Sequence, residues 1–250
     1  MSDASNSLQD LSQKQSQNLS KKGLYRLTGW VLVAESLLLF APVVILGQAI
    51  SWPQSLGNPA EEMLPLLVQQ AAAVRFGYLL YLAYSILFGV VAWLTIQVLS
   101  NGKTDAVWAR VATGFGLASM VTRCLGIIRW LVAMPALATL YTAPTTTAAS
   151  REAIAVVYRV LNDYAGSVGE VLGVSLFAAL WLVLASMTIL KTRVVSRWLG
   201  FFGLVSAALL AVQLTELFGR DLGAFISVSV SVLQLWFLLL GVALLRWRSR

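Results

Sequence analysis

Six apolar runs of about 20 residues, joined by short polar turns, constrain this chain more than any other feature. About 20 residues is the length an α-helix needs to cross the hydrocarbon core of a bilayer. The runs cover about 27–50, 76–99, 108–138, 166–190, 198–218 and 224–245. Backbone groups in lipid must find partners within their own segment, so each run reads as helix, including the alternating Ser227, Ser229 and Ser231 of the last. The expected fold is all-α, an integral membrane bundle of six transmembrane helices with short extracytoplasmic interfacial segments.

Composition agrees with that solvent. Of 250 residues, 58% are apolar and only 12% charged, whereas soluble domains carry about a quarter charged residues. No long insert separates the runs, so residues 25–250 read as one transmembrane domain. Residues 1–24, rich in Ser, Gln, Asn and Lys, read as a disordered polar cytoplasmic tail. Such a polar start is unlike a cleaved signal, which leaves the first span as its own insertion signal.

The basic residues set the orientation, because short loops rich in Lys and Arg stay in the cytoplasm. Lys21, Lys22 and Arg26 precede the first span, Lys103 and Arg110 flank the second turn, and Lys191, Arg193 and Arg197 flank the fourth. Arg246, Arg248 and Arg250 close the chain on the same side. The opposite side mixes Arg75, Arg151, Arg159 and Arg220 with Glu61, Glu62, Glu152, Asp163 and Asp221. Both termini are therefore expected in the cytoplasm of a cell-membrane protein, with Trp30, Trp108, Trp198 and Trp247 as interfacial anchors. Pro42 should kink the first span. Residues 51–73 read as a loop plus a short interfacial helix, and 151–164 either lie flat or extend the fourth helix outward.

Small residues recur every fourth position at Gly114, Ala118, Thr122 and Gly126, at Ala165, Gly169 and Gly173, and at Gly203, Ala207 and Ala211. Such stripes let helix backbones approach, chiefly within one chain and alternatively across a homodimer or a second membrane protein. No inverted repeat of the transporter kind is evident between the two halves.

Several chemistries drop out. The absence of histidine removes the usual triad base, zinc ligands and haem ligand, and every lysine lies in the tail or turns. No phosphate-cradling glycine loop follows a strand, and no cofactor or metal is expected. The net charge of +7 is scattered at span edges rather than massed, which argues against nucleic acid.

What remains is a set of ionisable residues inside spans, each costing at least about 2.5–3.5 kcal/mol in lipid and therefore expected to face protein or water. Helix rise puts Arg123 about 10 Å above Glu35, a gap that an intramembrane ion pair can bridge through the leaning Arg123 side chain, with water or Ser36 completing it. Arg129, about 120° around the helix from Arg123, should face different neighbours, with Glu170 and Glu216 as partners for it and for Arg75. These outer-half residues either fix the bundle by salt bridges or, with Tyr78, Tyr81, Gln213 and the Ser227, Ser231 and Gln234 stripe, line a pocket for a small anionic or lipid-like ligand.

Lys21-Lys22 through Gly29, Val74-Arg75-Phe76-Gly77 and Arg197-Trp198-Leu199-Gly200, which lead into the first, second and fifth spans, resemble a bacterial family of multi-pass membrane proteins known only as a domain of unknown function. The resemblance implies an inner-membrane topology and no activity. Function therefore divides between an accessory or scaffold protein, favoured by the stripes, and a carrier or receptor using Arg75, Tyr81, Arg129, Glu170, Glu216 and Gln234, with an unrecognised enzyme a distant third.

Overall fold

A computed structural model describes residues 2–102, 104–220, 222 and 224–247, with residues 2–18 as backbone only. Lys103, Asp221, Arg248 and Arg250 of the charge pattern lie outside the described residues. The described chain is helical throughout and contains no strand. Six stretches are long and apolar enough to cross a membrane: Leu19–Ile50, Ala71–Ser100, Ala106–Thr142, Ala148–Thr192, Arg197–Phe218 and Phe225–Leu245. The protein is thus a multi-pass membrane bundle of six helices.

Proline divides the first and third of these. Helix α1 (Ser2–Leu38) gives way at Leu39 to α2 (Phe40–Ile50), three residues before Pro42, whose ring cannot pack against the carbonyl one turn back. Pro135 has the same effect between α5 (Ala106–Leu131) and α6 (Ala133–Thr142), which part at Val132. The polar N-terminal segment is helical from Ser2 and continuous with the span. It holds no proline, and its one glycine is Gly23.

Between the first two spans, Ser51 turns left-handed at φ 56° and ends α2, and α3 (Ala60–Gln69) then buries Ala60, Met63, Leu64 and Leu67 against protein. Its partners are α6 and α7 (Ala148–Gly166), so this interfacial segment caps the bundle with its apolar side inward. Helix α4 (Ala71–Ser100) forms the second span and stops at the left-handed Asn101-Gly102 pair. Residues 151–164 extend the fourth span outward as part of α7. From Ser167 to Phe177 that span widens into a π-helix before resuming as α8 (Ala178–Thr192). Helix α9 (Arg197–Val212) ends in a 3-10 stretch, Gln213–Phe218, and α10 (Ala224–Leu245) completes the bundle.

Tyr25 and Trp247 meet at 4.1 Å between ring centroids, so the start of the first span and the end of the last share one end of the molecule. Two cores follow the bundle axis. Toward the termini, Phe88, Trp181, Trp236 and Phe237 interlock, and the buried indoles donate to backbone: Trp181 Nε1 to Ala92 O at 3.3 Å and Trp236 Nε1 to Leu199 O at 2.9 Å. At the opposite end, Leu46, Ile50, Met63, Tyr78, Trp130, Met134 and Tyr158 pack beneath α3.

The small-residue stripes are used chiefly inside the chain. A Cβ on Gly126 would stand 2.7 Å from Gly169 Cα and 3.0 Å from Ala165 O, and one on Gly173 would stand 2.9 Å from Thr122 Oγ1. Gly203 lies against Ser186 and Trp236. Gly114 faces open space.

Candidate functional site

Along α4, Tyr78, Tyr81 and Tyr84 recur every third residue and turn toward α5. Tyr78 stacks on Trp130 with centroids 5.1 Å apart and planes 4° from parallel, and Tyr81 stacks on Tyr84 at 5.9 Å. The close Gly126–Gly169 seam brings the π-helical segment against α5 and places Glu170 on the same opening. A narrow cleft with only about 20 Å³ of free space results, lined among others by Tyr78, Tyr81, Arg123, Arg129, Trp130 and Glu170. Trp52 and Leu56 roof it from the loop after α2. Trp52 packs edge-on to Tyr81 at 5.7 Å, and Asn162 Nδ2 donates to Leu56 O at 2.8 Å.

Arg123 and Arg129, two of the three arginines of α5, both line this cleft, although each keeps its own immediate neighbours. Their Cα directions do diverge, but a guanidinium stands several bonds from its Cα and can swing back. Arg129 folds onto its own helix, Nη1 donating to Gly126 O at 3.0 Å, with Cζ 5.4 Å from the Trp130 centroid. Gly166 makes room for it, since a Cβ there would stand 3.3 Å from Arg129 Nη2. Arg123 approaches from below, its Cζ 4.2 Å from the Phe88 centroid and 5.8 Å from that of Tyr84. Both arginines are almost fully buried, and neither Nε finds an acceptor.

The expected ion pairs do not close. Among the described residues the one ion pair within 4.0 Å is Arg159 with Asp163, both exposed. Glu35 and Arg123 sense each other without contact, and Ser36 does not bridge them because its Oγ donates to Val33 O at 2.8 Å. Glu170 lies within electrostatic reach of Arg129 and of Glu216, which stands in the 3-10 stretch after α9.

Two other residues from the sequence-based set fall elsewhere. Arg75 is exposed and borders a second, mostly apolar cleft of about 220 Å³ with Leu67, Ala71, Val74 and Pro135; Trp130 is the wall the two clefts share. Gln234 is buried, but Nε2 donates to Tyr84 Oη at 2.6 Å, behind the cleft rather than within it. The expected serine stripe on α10 does not form one polar face with Gln234. Ser227 and Ser231 are exposed, and Ser231 Oγ bonds back to Ser227 O at 2.7 Å, which lets a hydroxyl face lipid. The inward serine is Ser229, bonded to Gln213, whose Oε1 in turn accepts from Ser175 Oγ at 2.8 Å. Trp52, Tyr84 and Trp130 escaped the sequence reading. The signal for Tyr84 was its spacing three residues beyond Tyr81.

Chemically, the cleft offers guanidinium donors, phenols and aromatic walls around one carboxylate. Two cations against one anion suit an acceptor-rich, negatively charged group. A family model described as Domain of unknown function (DUF4386) matches residues 27–247. No curated protein and no solved structure matches the chain.

Proposed function

This chain belongs to the DUF4386 family, and we propose that it is a membrane receptor or carrier for a slim oxyanion, either free or at the head of an alkyl chain. The observation that carries this reading is the convergence of Arg123 and Arg129 on one cleft with no carboxylate in ion-pair contact with either, among the described residues. A buried guanidinium without a contact anion is costly, and an oxyanion lying between the two would supply the missing acceptors. The aromatic walls suit the apolar part of such a ligand, and because the cleft has only about 20 Å³ of free space, those walls must part for even a small headgroup to enter. The scaffold reading draws less support, because the stripe residues Gly126, Gly169, Gly173 and Gly203 pack against the chain itself.

For orientation we adopt the cytoplasmic placement of both termini in the cell membrane. Exposed Lys21, Lys22, Arg26, Arg110, Lys191, Arg193, Arg197 and Arg246 cluster at the end where Tyr25 meets Trp247. The roof of the cleft then faces the extracytoplasmic side.

The test is thermal stability of the purified full-length protein with methanesulfonate, a free oxyanion, and hexanesulfonate, the same group on an alkyl chain, each against potassium chloride of equal ionic strength. Saturable stabilisation is expected, about 2.7 kcal/mol at a hundredfold excess over Kd. Arg129→Ala should abolish it and Arg129→Lys should keep part of it. Stabilisation by hexanesulfonate alone would identify an amphiphile, and by both, a free anion. If neither sulfonate exceeds chloride, or if the response survives Arg129→Ala, the cleft is not the site.

A further inference from the structure

Behind the cleft stands a group that anion binding alone does not use. Glu35, on α1, is 0% exposed, and neither carboxylate oxygen has a hydrogen-bond donor. The groups facing it come from two other elements: Arg123 of α5, and Tyr84 of α4, which also stacks on the cleft residue Tyr81. Helices α2 and α10, also packed on α1, carry no titratable side chain, and α10 contributes the neutral Gln234 to Tyr84. Arg123 therefore has two clients. Its guanidinium borders the cleft, and its charge is the one that compensates Glu35.

An anion seated against Arg123 changes this balance. The anion, Glu35 and Glu170 would then have only Arg123 and Arg129 to face in a region that water barely enters, and Glu35, sealed in without hydrogen-bond donors, is the most costly to keep charged. We infer that an oxyanion and a proton bind together, the anion in the cleft and the proton on Glu35. One O–H bond of a water at the mouth of the cleft breaks as one O–H bond forms on the Glu35 carboxylate, and the hydroxide left behind passes to the bulk solution. One negative and one positive charge enter, so the buried region gains no net charge. This inference rests on the oxyanion reading of the cleft and gives it a coupled ion.

The experiment uses the full-length protein in detergent, lightly buffered at about pH 9 with a pH-indicating dye, and whichever of methanesulfonate and hexanesulfonate stabilises it. Both are anions of strong acids and carry no proton of their own. Addition of the sulfonate should raise the pH by about one proton per anion bound, and affinity should fall up to about tenfold per pH unit on the alkaline side. Glu35→Gln should bind the sulfonate without proton uptake and with affinity independent of pH. Glu170→Gln, which removes the carboxylate that lines the cleft itself, should keep the uptake. Should Glu35→Gln fail to fold, the pH slope of the unaltered chain and of Glu170→Gln decides: a flat slope overturns the inference. Binding without uptake, or uptake persisting in Glu35→Gln, overturns the coupling and leaves the oxyanion site standing. Failure of both sulfonates to bind removes the site and the coupling together.

Discussion

The two ends of the bundle are built on opposite rules. Toward the termini, Phe88, Trp181, Trp236 and Phe237 meet at 5.4–6.1 Å in mostly edge-on pairs, and the buried polar atoms left without partners are neutral hydroxyls, those of Thr95, Ser100, Ser186 and Ser206. Toward the opposite end, from Glu35 upward, aromatic rings surround charged groups instead, and the partnerless atoms include both Glu35 oxygens and the Nε of Arg123 and Arg129. A hydroxyl without a partner costs little beside a bare ion. The first end is therefore arranged for packing, whereas the second holds electrostatic energy that packing alone does not explain.

Substitution of Trp181 tests the packing end hardest. The indole is fully buried and touches both Phe88 and Trp236, so Trp181→Ala should cost about 3–5 kcal/mol of stability. Sulfonate affinity measured well below the lowered melting temperature should stay unchanged. A parallel loss of affinity would show that the two ends are one unit. Next in size is Gly126→Val, which sets a branched side chain against the Gly169 backbone and should cost about 1–3 kcal/mol. Because Gly126 and Gly169 also line the cleft, this change should weaken sulfonate binding as well as stability. Melting curves with and without sulfonate check both statements.

That contrast between ends was only half legible from the residues in order. The spans and the break at Pro42 follow from apolar length and local backbone, whereas the equivalent break at Pro135 went unread and 151–164 stood between lying flat and extending the fourth helix. The seam between the third and fourth spans was visible too, since Gly126 and Gly169 carry their spacing openly. Convergence of Arg123 and Arg129 was not visible, because helical arithmetic locates a Cα and not the end of a long side chain. Gln234 was placed in the wrong cluster for a related reason: its amide turns to Tyr84, and nothing in α10 itself announces that partner. The π-helical stretch around Glu170 shifts register by about one residue per turn, which no spacing rule for an α-helix anticipates.

A smaller effect should come from the neutral network that ties the π-helical segment to α9 and α10. Gln213 accepts from Ser175 of the π-helical segment and donates to Ser229 of α10, and each serine hydroxyl has a backbone acceptor besides, Glu170 O at 3.1 Å and Ile226 O at 2.8 Å. Gln213→Ala therefore strands no hydroxyl. It should cost about 1 kcal/mol and slightly loosen the segment that carries Glu170, measured as a modest drop in sulfonate affinity. A loss as large as that of Gly126→Val would mean that the neutral network, and not the glycine seam, positions the cleft.

Arg159 provides the smallest effect and the sharpest control on the comparison. It pairs with Asp163 at 3.9 Å one helical turn away, with the two side chains 84% and 68% exposed. Water screens both partners, and holding two long side chains together costs entropy, so Arg159→Ala should change stability by well under about 1 kcal/mol and leave sulfonate affinity untouched. The residue type and the helix environment are the same as for Arg129; what differs is access to water. If the exposed arginine proved as consequential as the buried one, charge count on that face rather than desolvation in the cleft would govern the anion response, and the distinction between the two ends would lose its electrostatic basis.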